Sequence, residues 1–226
     1  YAIVNAPTVN YLGDENAIMQ HVSLFGENSS GKLVMAGMAT ETIEKNSEIV
    51  IPVSRLISKV VLKSVKNNFE TPQHREMNFA IKSIFLTNAP KDKAFFMTPF
   101  TPTAWFNKNA DLQTITQSGD MLYEAFTPSS VTYNKTKDFG NFLYCYPNTA
   151  QDGPNPTYLV VQAILEGKLC YYPVKLPSME SNKCYNVYLT VCRPGSEDHN
   201  VAVEKGDALF SVDVQGWSEE DVNDTI

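Results

Sequence analysis

Short apolar segments rich in Val, Ile, Phe, Tyr and Thr alternate along the chain with clusters of Asn, Asp, Gly, Pro and Lys. This alternation is typical of an all-β sandwich, in which turn residues bound each strand. Stretches with helical periodicity are scarce. The pattern predicts about ten strands, at 1–6, 32–38, 47–65, 77–87, 94–97, 141–146, 158–165, 168–176, 184–192 and 208–214.

One amphipathic segment, 14–25, predicts a short helix. Asp14 is a natural N-cap, and Ile18, Val22 and Phe25 recur on one helical face. Because this stripe is the only apolar face of the segment, we expect it to pack on the edge or end of a sheet.

The segment 47–65 is too long for one ordinary strand, and its apolar residues change face along it. Ile49 and Val53 share one face, whereas Val60 takes the other. Since a strand keeps its apolar residues on alternate positions, a bulge or bend is expected near Arg55.

The polar stretch 66–76 predicts a domain boundary near residue 66. Residues 1–66 then hold only about three or four strands and the helix, whereas a sandwich needs about seven strands. We therefore expect 1–66 to be the C-terminal part of an N-terminal β-sandwich domain whose remaining strands lie upstream of Tyr1. The alternative is that this piece is not a domain. Residues 67–226 are long enough for a complete C-terminal β-sandwich domain.

The segment 99–138 is rich in Thr, Asn and Pro and is predicted to be an extended insertion in the second domain. Its aromatic side chains leave two interpretations open. They could anchor a loop to the sheet, or they could form a surface on which sugar rings stack. These residues are Phe100, Trp105, Phe106, Tyr123, Phe126 and Tyr133.

The charge of the chain argues against nucleic acid as a partner. The sequence has 25 acidic and 18 basic residues, a formal net charge of −7, and no stripe of Lys or Arg that could neutralise phosphates.

The longest apolar run, 158–165, is far shorter than the ~20 residues of a bilayer-spanning helix, so no transmembrane segment is predicted. No signal-peptide pattern follows Tyr1, and we expect such a peptide to have been removed or to lie outside the sequence.

The cysteines, Cys145, Cys170, Cys184 and Cys192, lack CxxC spacing and have no histidines at metal-ligand intervals. This predicts no metal site. Cys184 and Cys192 would lie about 26 Å apart in one extended strand, too far for a disulfide. Two pairings of the four residues remain, but their apolar surroundings favour four free and mostly buried thiols.

No catalytic constellation is recognisable in the sequence. His21, His74 and His199 fall in a helix-like segment, a linker and a loop, and none neighbours a nucleophile motif. The glycines are isolated, so no phosphate-binding loop is predicted. The sequence therefore predicts no catalytic residue and no cofactor, and favours a structural or binding module over an enzyme.

Several runs along the chain are informative as an ordered set. They are YAIVNAP at 1–7, LVMAG at 33–37, VSRLISKVVL at 53–62, FAIKSIFLTN at 79–88, YYPV within 168–176, the run 185–190 with RPG at 193–195, and the run 212–217. This set resembles the type V fimbrillins, the FimA-like major fimbrial subunits of Gram-negative gut and oral anaerobes. The resemblance covers most of the chain except 99–138.

The resemblance implies two β-sandwich domains, the first transthyretin-like, and a lipoprotein precursor associated with the outer membrane. It implies a cell-surface fimbrium in which a protease removes an N-terminal strand and a neighbouring subunit fills the opened groove. The implied partners are identical or related pilus subunits, and a host or bacterial surface ligand is left open. The cleavage site and the first strands of the family are not visible in this sequence.

Strand donation has a physical logic, because a missing strand exposes backbone groups and apolar pockets that another strand can satisfy. As the resemblance to fimbrillins suggests, we expect 208–214 and the segment after it to contribute the donated strand. Its apolar residues Phe210, Val212 and Val214 alternate with polar ones, and Trp217 could anchor the exit of the strand.

Two alternatives to strand donation remain open. The same residues could simply form the last strand of their own sandwich, and the whole chain could be a surface glycan-binding β-sandwich module. The acidic tail, 218–226, is expected to be mobile in an isolated subunit.

Overall fold

The computed structural model describes residues 1–6, 13–42, 45, 48–150, 152–201 and 206–217. Strands dominate and the helices are short, which confirms the all-β fold class. The helices are α1 (Glu15–Gln20), α2 (Pro72–Arg75) and α3 (Leu112–Thr116), with a 3-10 helix at Phe25–Glu27. The strands are β1 (Ala2–Val4), β2 (Val22–Leu24), β3 (Met35–Gly37), β4 (Ser54–Arg55), β5 (Ser58–Asn67), β6 (Phe79–Thr87), β7 (Ala89–Pro90), β8 (Asp92–Ala94), β9 (Trp105–Phe106), β10 (Tyr123–Ser130), β11 (Thr136–Cys145), β12 (Tyr158–Leu165), β13 (Lys168–Lys175), β14 (Lys183–Val191) and β15 (Ala208–Gly216).

Two four-stranded sheets pack against each other. The front sheet has the strand order β10-β6-β12-β13, and the back sheet has the order β11-β5-β14-β15. Neighbouring strands are antiparallel except for β14, which runs parallel to β5. Alternate residues of these strands, such as Leu86 in the front sheet and Val187 in the back sheet, are completely buried in one shared core. No helix in the described ranges is long and apolar enough to cross a membrane.

The segment 47–65 is interrupted, as the change of face of its apolar residues predicts. β4 ends at Arg55 and β5 begins at Ser58, so the chain breaks near the expected position. β5 then lies in the middle of the back sheet, between β11 and β14. The strand that ends at the predicted boundary is therefore hydrogen-bonded into the sandwich built by the later strands, and the division near residue 66 stays a prediction.

The N-terminal residues build a small sheet with the order β1-β3-β4, called here the N-terminal sheet. Two contacts tie this region to the sandwich. β2 pairs antiparallel with β8, and the buried side chains of Phe25 and Val34 belong to the core that both large sheets share. Ala36 of β3 belongs to the same core, so the N-terminal sheet is packed on the sandwich.

The helix predicted over 14–25 is only partly correct. Asp14 is the N-cap, and its carboxylate accepts a hydrogen bond of 2.9 Å from Ala17 N. The helix ends at Gln20, however, and Val22 lies in β2 opposite Ala94. Pairing with another strand, together with the poor helix propensity of a β-branched residue, outweighs the helical spacing of the apolar residues.

The prediction of a long insertion at 99–138 is wrong. This segment contains β9, α3, β10 and the first residues of β11. β10 is an edge strand of the front sheet, and its pairing with β6 shifts register between Ala125 and Ser129. Pro128 lies within that shift, where its lack of an N–H is tolerated. The sequence does not predict this strand, because its Thr-Pro-Ser-Ser run lacks alternating apolar residues.

Candidate subunit-contact strand

The last strand, β15, is the edge strand of the back sheet. Its nine residues pair with β14 in an unbroken antiparallel register, from Ala208 opposite Val191 to Gly216 opposite Lys183. No strand in the described part of the chain pairs with its other side. The strand is therefore long, regular and open along one edge.

The predicted apolar face of β15 is present and half uncovered. Phe210, Val212 and Val214 lie opposite residues of β14 that point into the core, and residues directly opposite each other share a sheet face. Nevertheless Phe210 is 48% exposed and Val214 is 46% exposed, whereas Val212 packs partly against the core. The opposite face carries Leu209, which is 61% exposed.

The terminal hydrogen bonds of β15 determine which backbone groups face its open edge. Cys192 N donates to Asp207 O (2.8 Å), and Trp217 N donates to Asn182 O (3.2 Å). Since bonding direction alternates along an antiparallel strand, the odd-numbered residues between these ends face β14. The N–H and C=O groups of residues 208, 210, 212, 214 and 216 therefore point toward the open side.

Trp217 follows β15 directly and packs against other parts of the back sheet. Its ring stacks on Tyr144 of β11 with centroids 5.6 Å apart, and the guanidinium carbon of Arg55 lies 4.6 Å from the indole centroid. Arg55 also donates to the carbonyl oxygen of Trp217 (3.3 Å) and to Asn182 Oδ1 (3.1 Å). The indole is buried, and its Nε1 has no hydrogen-bond partner among the described residues. These contacts hold the exit of β15 against the back sheet.

A second uncovered region lies at the N-terminal sheet. Within the described ranges β1 pairs only with β3, so its other edge is open. Apolar side chains around this sheet are exposed, including Met38 and Val50. A cleft of about 270 Å³ lies beside them, between Tyr1, Ile49 and neighbouring residues. The hydroxyl of Tyr1 donates to the carboxylate of Glu15 at the edge of this cleft.

The aromatic side chains proposed as a sugar-stacking surface are dispersed. Each packs against a different part of the molecule, as expected for anchors of the segment rather than for one flat platform. The contacts are Phe106 with Phe25, Tyr123 with Phe85, Phe126 with Phe139, Tyr133 with Arg75, Phe100 with Lys93 and Trp105 with Lys108.

The three histidines lie in different environments. His21 stacks on Phe95, His74 shares a hydrogen bond of 2.7 Å with the Thr71 hydroxyl, and His199 bonds a backbone carbonyl. In the described ranges no group of His, Cys, Asp and Glu side chains is arranged to hold a metal ion. All four cysteines are buried, and no disulfide joins any two of them.

A buried polar network joins the N-terminal region to the end of β11, and sequence patterns gave no indication of it. The hydroxyl of Tyr146 accepts a hydrogen bond of 3.0 Å from Asn28 Nδ2 and lies 2.8 Å from the Ser23 hydroxyl. Ser23 in turn donates to Glu27 (2.8 Å). Burial raises the pKa of Tyr146 to about 12. Tyr146 therefore stays protonated at ordinary pH, and its hydrogen bonds tie the N-terminal region to the sandwich.

No protein-family model and no curated protein matches the sequence. Solved structures share its fold. A proposed cell adhesion protein from Bacteroides eggerthii is 16% identical with a TM-score of 0.67, over 95% of this chain and 76% of that chain. A second, from Parabacteroides distasonis, is 13% identical with a TM-score of 0.64, over 95% and 74%.

A fimbrilin, FimA, from Porphyromonas gingivalis is 14% identical with a TM-score of 0.60, over 95% of this chain and 78% of that chain. At such identities the likeness establishes the fold. It confirms, at the level of the fold, the resemblance to fimbrillins that the ordered sequence runs indicated.

Proposed function

We propose that this chain is a structural subunit of a cell-surface fimbrium and contacts its neighbours through β15, thereby supporting adhesion. The observation that carries the proposal is the open edge of β15, whose apolar face is half uncovered and whose outward backbone groups lack partners in the described residues. The fold shared with a fimbrilin supports it. The partners are identical or related subunits, and the protein is not an enzyme.

The composition of β15 supports a pairing role. Natural edge strands are usually protected by Lys, Pro, a bulge or a short length. β15 instead has nine regularly paired residues, no Lys or Pro, and Asp213 as its one charged residue. An edge of this kind is suited to receive or supply a strand by β-augmentation.

The finer part of the proposal is donor-strand exchange. Phe210, Val212 and Val214 of one subunit would fill the apolar region beside the N-terminal sheet of the next, where the edge of β1 is open. In this structure β15 is paired with β14 throughout. Donation therefore requires release of that ladder and of the Trp217 contacts. A lipoprotein precursor and outer-membrane association belong to the same proposal.

The test replaces Phe210 and Val212 together by Asn and measures monomer melting and polymer formation. The expected result is a folded monomer that forms far fewer denaturant-resistant ladders, because the inserted face has lost its apolar side chains. Leu209→Asn is the matched control, since it changes an exposed apolar residue on the opposite face. Polymerisation at the parental level by a folded Phe210→Asn, Val212→Asn chain would rule out the donor role.

A glycan-binding module remains the alternative function. It has less support, because the aromatic residues on which it relied contact separate parts of the molecule. Specific retention of the monomer on a polysaccharide column would favour it over the fimbrial role.

A further inference from the structure

We infer that two copies of this chain form a symmetric dimer through the free edges of their β15 strands, antiparallel and centred on Val212. The inference uses the same strand as the proposed function, but it does not require that the chain form a fibre. It rests on the self-complementarity of β15 in backbone, apolar side chains and charge.

The outward backbone groups of β15 are symmetric about Val212. A twofold axis at this residue sets Val212 opposite its own copy, residue 210 opposite residue 214, and residue 208 opposite residue 216. All of these residues turn their N–H and C=O groups to the open side, as the bonds at Asp207 and Trp217 determine. Each pair can therefore exchange both hydrogen bonds. A shift of register in either direction leaves an outward residue at the end of the strand unpaired.

The side chains match in this register. On the half-uncovered face, Phe210 of each copy lies opposite Val214 of the other, and both residues are nearly half exposed in the single chain, at 48% and 46%. Aromatic and β-branched residues directly opposite each other form favourable cross-strand pairs. The pairing thus covers the two large apolar side chains that the sandwich leaves open on this face.

The charges also match. Asp213 lies opposite Ser211 of the other copy, so the charged residue of β15 does not face itself. Its carboxylate already accepts a hydrogen bond of 2.7 Å from Gln215 Nε2. Leu209 lies opposite Gln215 on the same face, and like charges directly opposite each other, which would weaken the pairing, do not arise. An isologous contact of this kind closes on itself and hides both open edges.

Dimerisation would oppose donation of the same strand. In the dimer, β15 remains paired with β14 on one side and with its copy on the other, so it is unavailable for insertion into a third chain. The dimer is therefore a resting state that must dissociate before a subunit could enter a fibre through β15.

The test is disulfide trapping with a single new cysteine. In the expected register the Cα atoms of the two residues 212 are about 5.5 Å apart, within disulfide range. Because the native cysteines are buried, the Val212→Cys chain should form an intermolecular disulfide under mild oxidation. Leu209→Cys is the control, because its side chain is more exposed but its two copies lie far from the twofold axis.

The expected result is trapping of Val212→Cys at least about tenfold faster than trapping of Leu209→Cys, together with a concentration-dependent dimer of the parent chain in sedimentation. The distances justify a difference of this size, because only the two residues 212 lie within disulfide range of each other in the dimer. Equal trapping rates, or a parent chain that stays monomeric at all concentrations, would overturn the inference.

A second variant tests the backbone directly. Val212→Pro removes an outward N–H while leaving the bonds to β14 in place, a position where a strand tolerates proline. It should give a folded monomer, and a dimer as strong as that of the parent chain would count against the inference. Polymer formation is assayed separately. A chain that dimerises but never polymerises contradicts only the proposed function, and a chain that polymerises without Val212→Cys trapping contradicts only the dimer.

Discussion

Trp217, which follows the last strand, stacks on Tyr144 of the opposite edge strand of the same sheet, with ring centroids 5.6 Å apart and planes 17° from parallel. Tyr144 belongs to β11 and Trp217 directly follows β15, and these strands are the two edges of the back sheet. The indole therefore spans the end of the sheet and fixes the exit of β15.

Trp217→Ala should destabilise the chain by about 3–5 kcal/mol, as expected for truncation of a large buried aromatic side chain. Urea unfolding gives the free energy. Trp105→Ala is the control, since Trp105 is only half-buried and lies near Lys108 at the surface of the molecule. If both variants lost the same free energy of unfolding, the conclusion that Trp217 holds the exit of β15 against the back sheet would be wrong.

Ionisation of Tyr146 should destabilise the folded chain at alkaline pH. Its pKa is raised from 10.0 to about 12 because burial disfavours the charged form. Between these values the unfolded chain loses the proton that the folded chain keeps. Protonated Tyr146 therefore contributes its full stabilisation of the folded state below about pH 10, and this contribution is lost as pH rises through about 12. It amounts to about 2–3 kcal/mol.

The measurement is the free energy of unfolding against pH for the parent and Tyr146→Phe chains. The variant should lose stability at neutral pH, because Asn28 and Ser23 lose a partner. It should also show a shallower fall above about pH 10. Burial also raises the pKa of Tyr185 to about 12, so part of the fall should remain. An unchanged slope would contradict the assignment to Tyr146.

The thiols should be unreactive in the folded chain and free after unfolding. All four cysteines are buried and outside any disulfide, and burial raises the pKa of Cys145 to about 12. Since the thiolate is the reactive form, a thiol reagent should label the native protein slowly. Titration of the unfolded, unreduced chain should find all four thiols, and a count of two or none would show that disulfides form.

Gly37→Ala should disturb the N-terminal sheet. A Cβ atom at Gly37 would collide with the carbonyl oxygen of Pro52, which is backbone and cannot move aside alone. A loss of about 1–3 kcal/mol is expected, with faster amide exchange in β3. Gly31→Ala is the control because a Cβ atom there meets nothing within 4 Å. Equal stability of the two variants would disprove the close packing of β3 on residue 52.

Local patterns of apolar and polar residues are sufficient to predict the fold class and most long strands of the sandwich. β12 has the predicted bounds, and β13, β14 and β15 differ from prediction by a residue or two at their ends. The alternation in these segments is local, because a strand buried on one or both faces needs apolar residues at fixed positions. The N-cap at Asp14 was readable for the same reason, since its hydrogen bond to Ala17 N spans a single turn.

Which segments pair and which faces stay open depends on contacts between distant parts of the chain. The spacing of Val22 and Phe25 fits one face of a helix. Val22 nevertheless lies in β2, because it pairs with β8, a strand that is distant in sequence. β10 has little alternation and is still held by β6. The alternation of apolar residues in β15 is the same as in a buried core strand, yet Phe210 and Val214 are half exposed. Their cover depends on whether another strand lies over or beside them, and that is set by contacts between distant parts of the chain and not by local sequence.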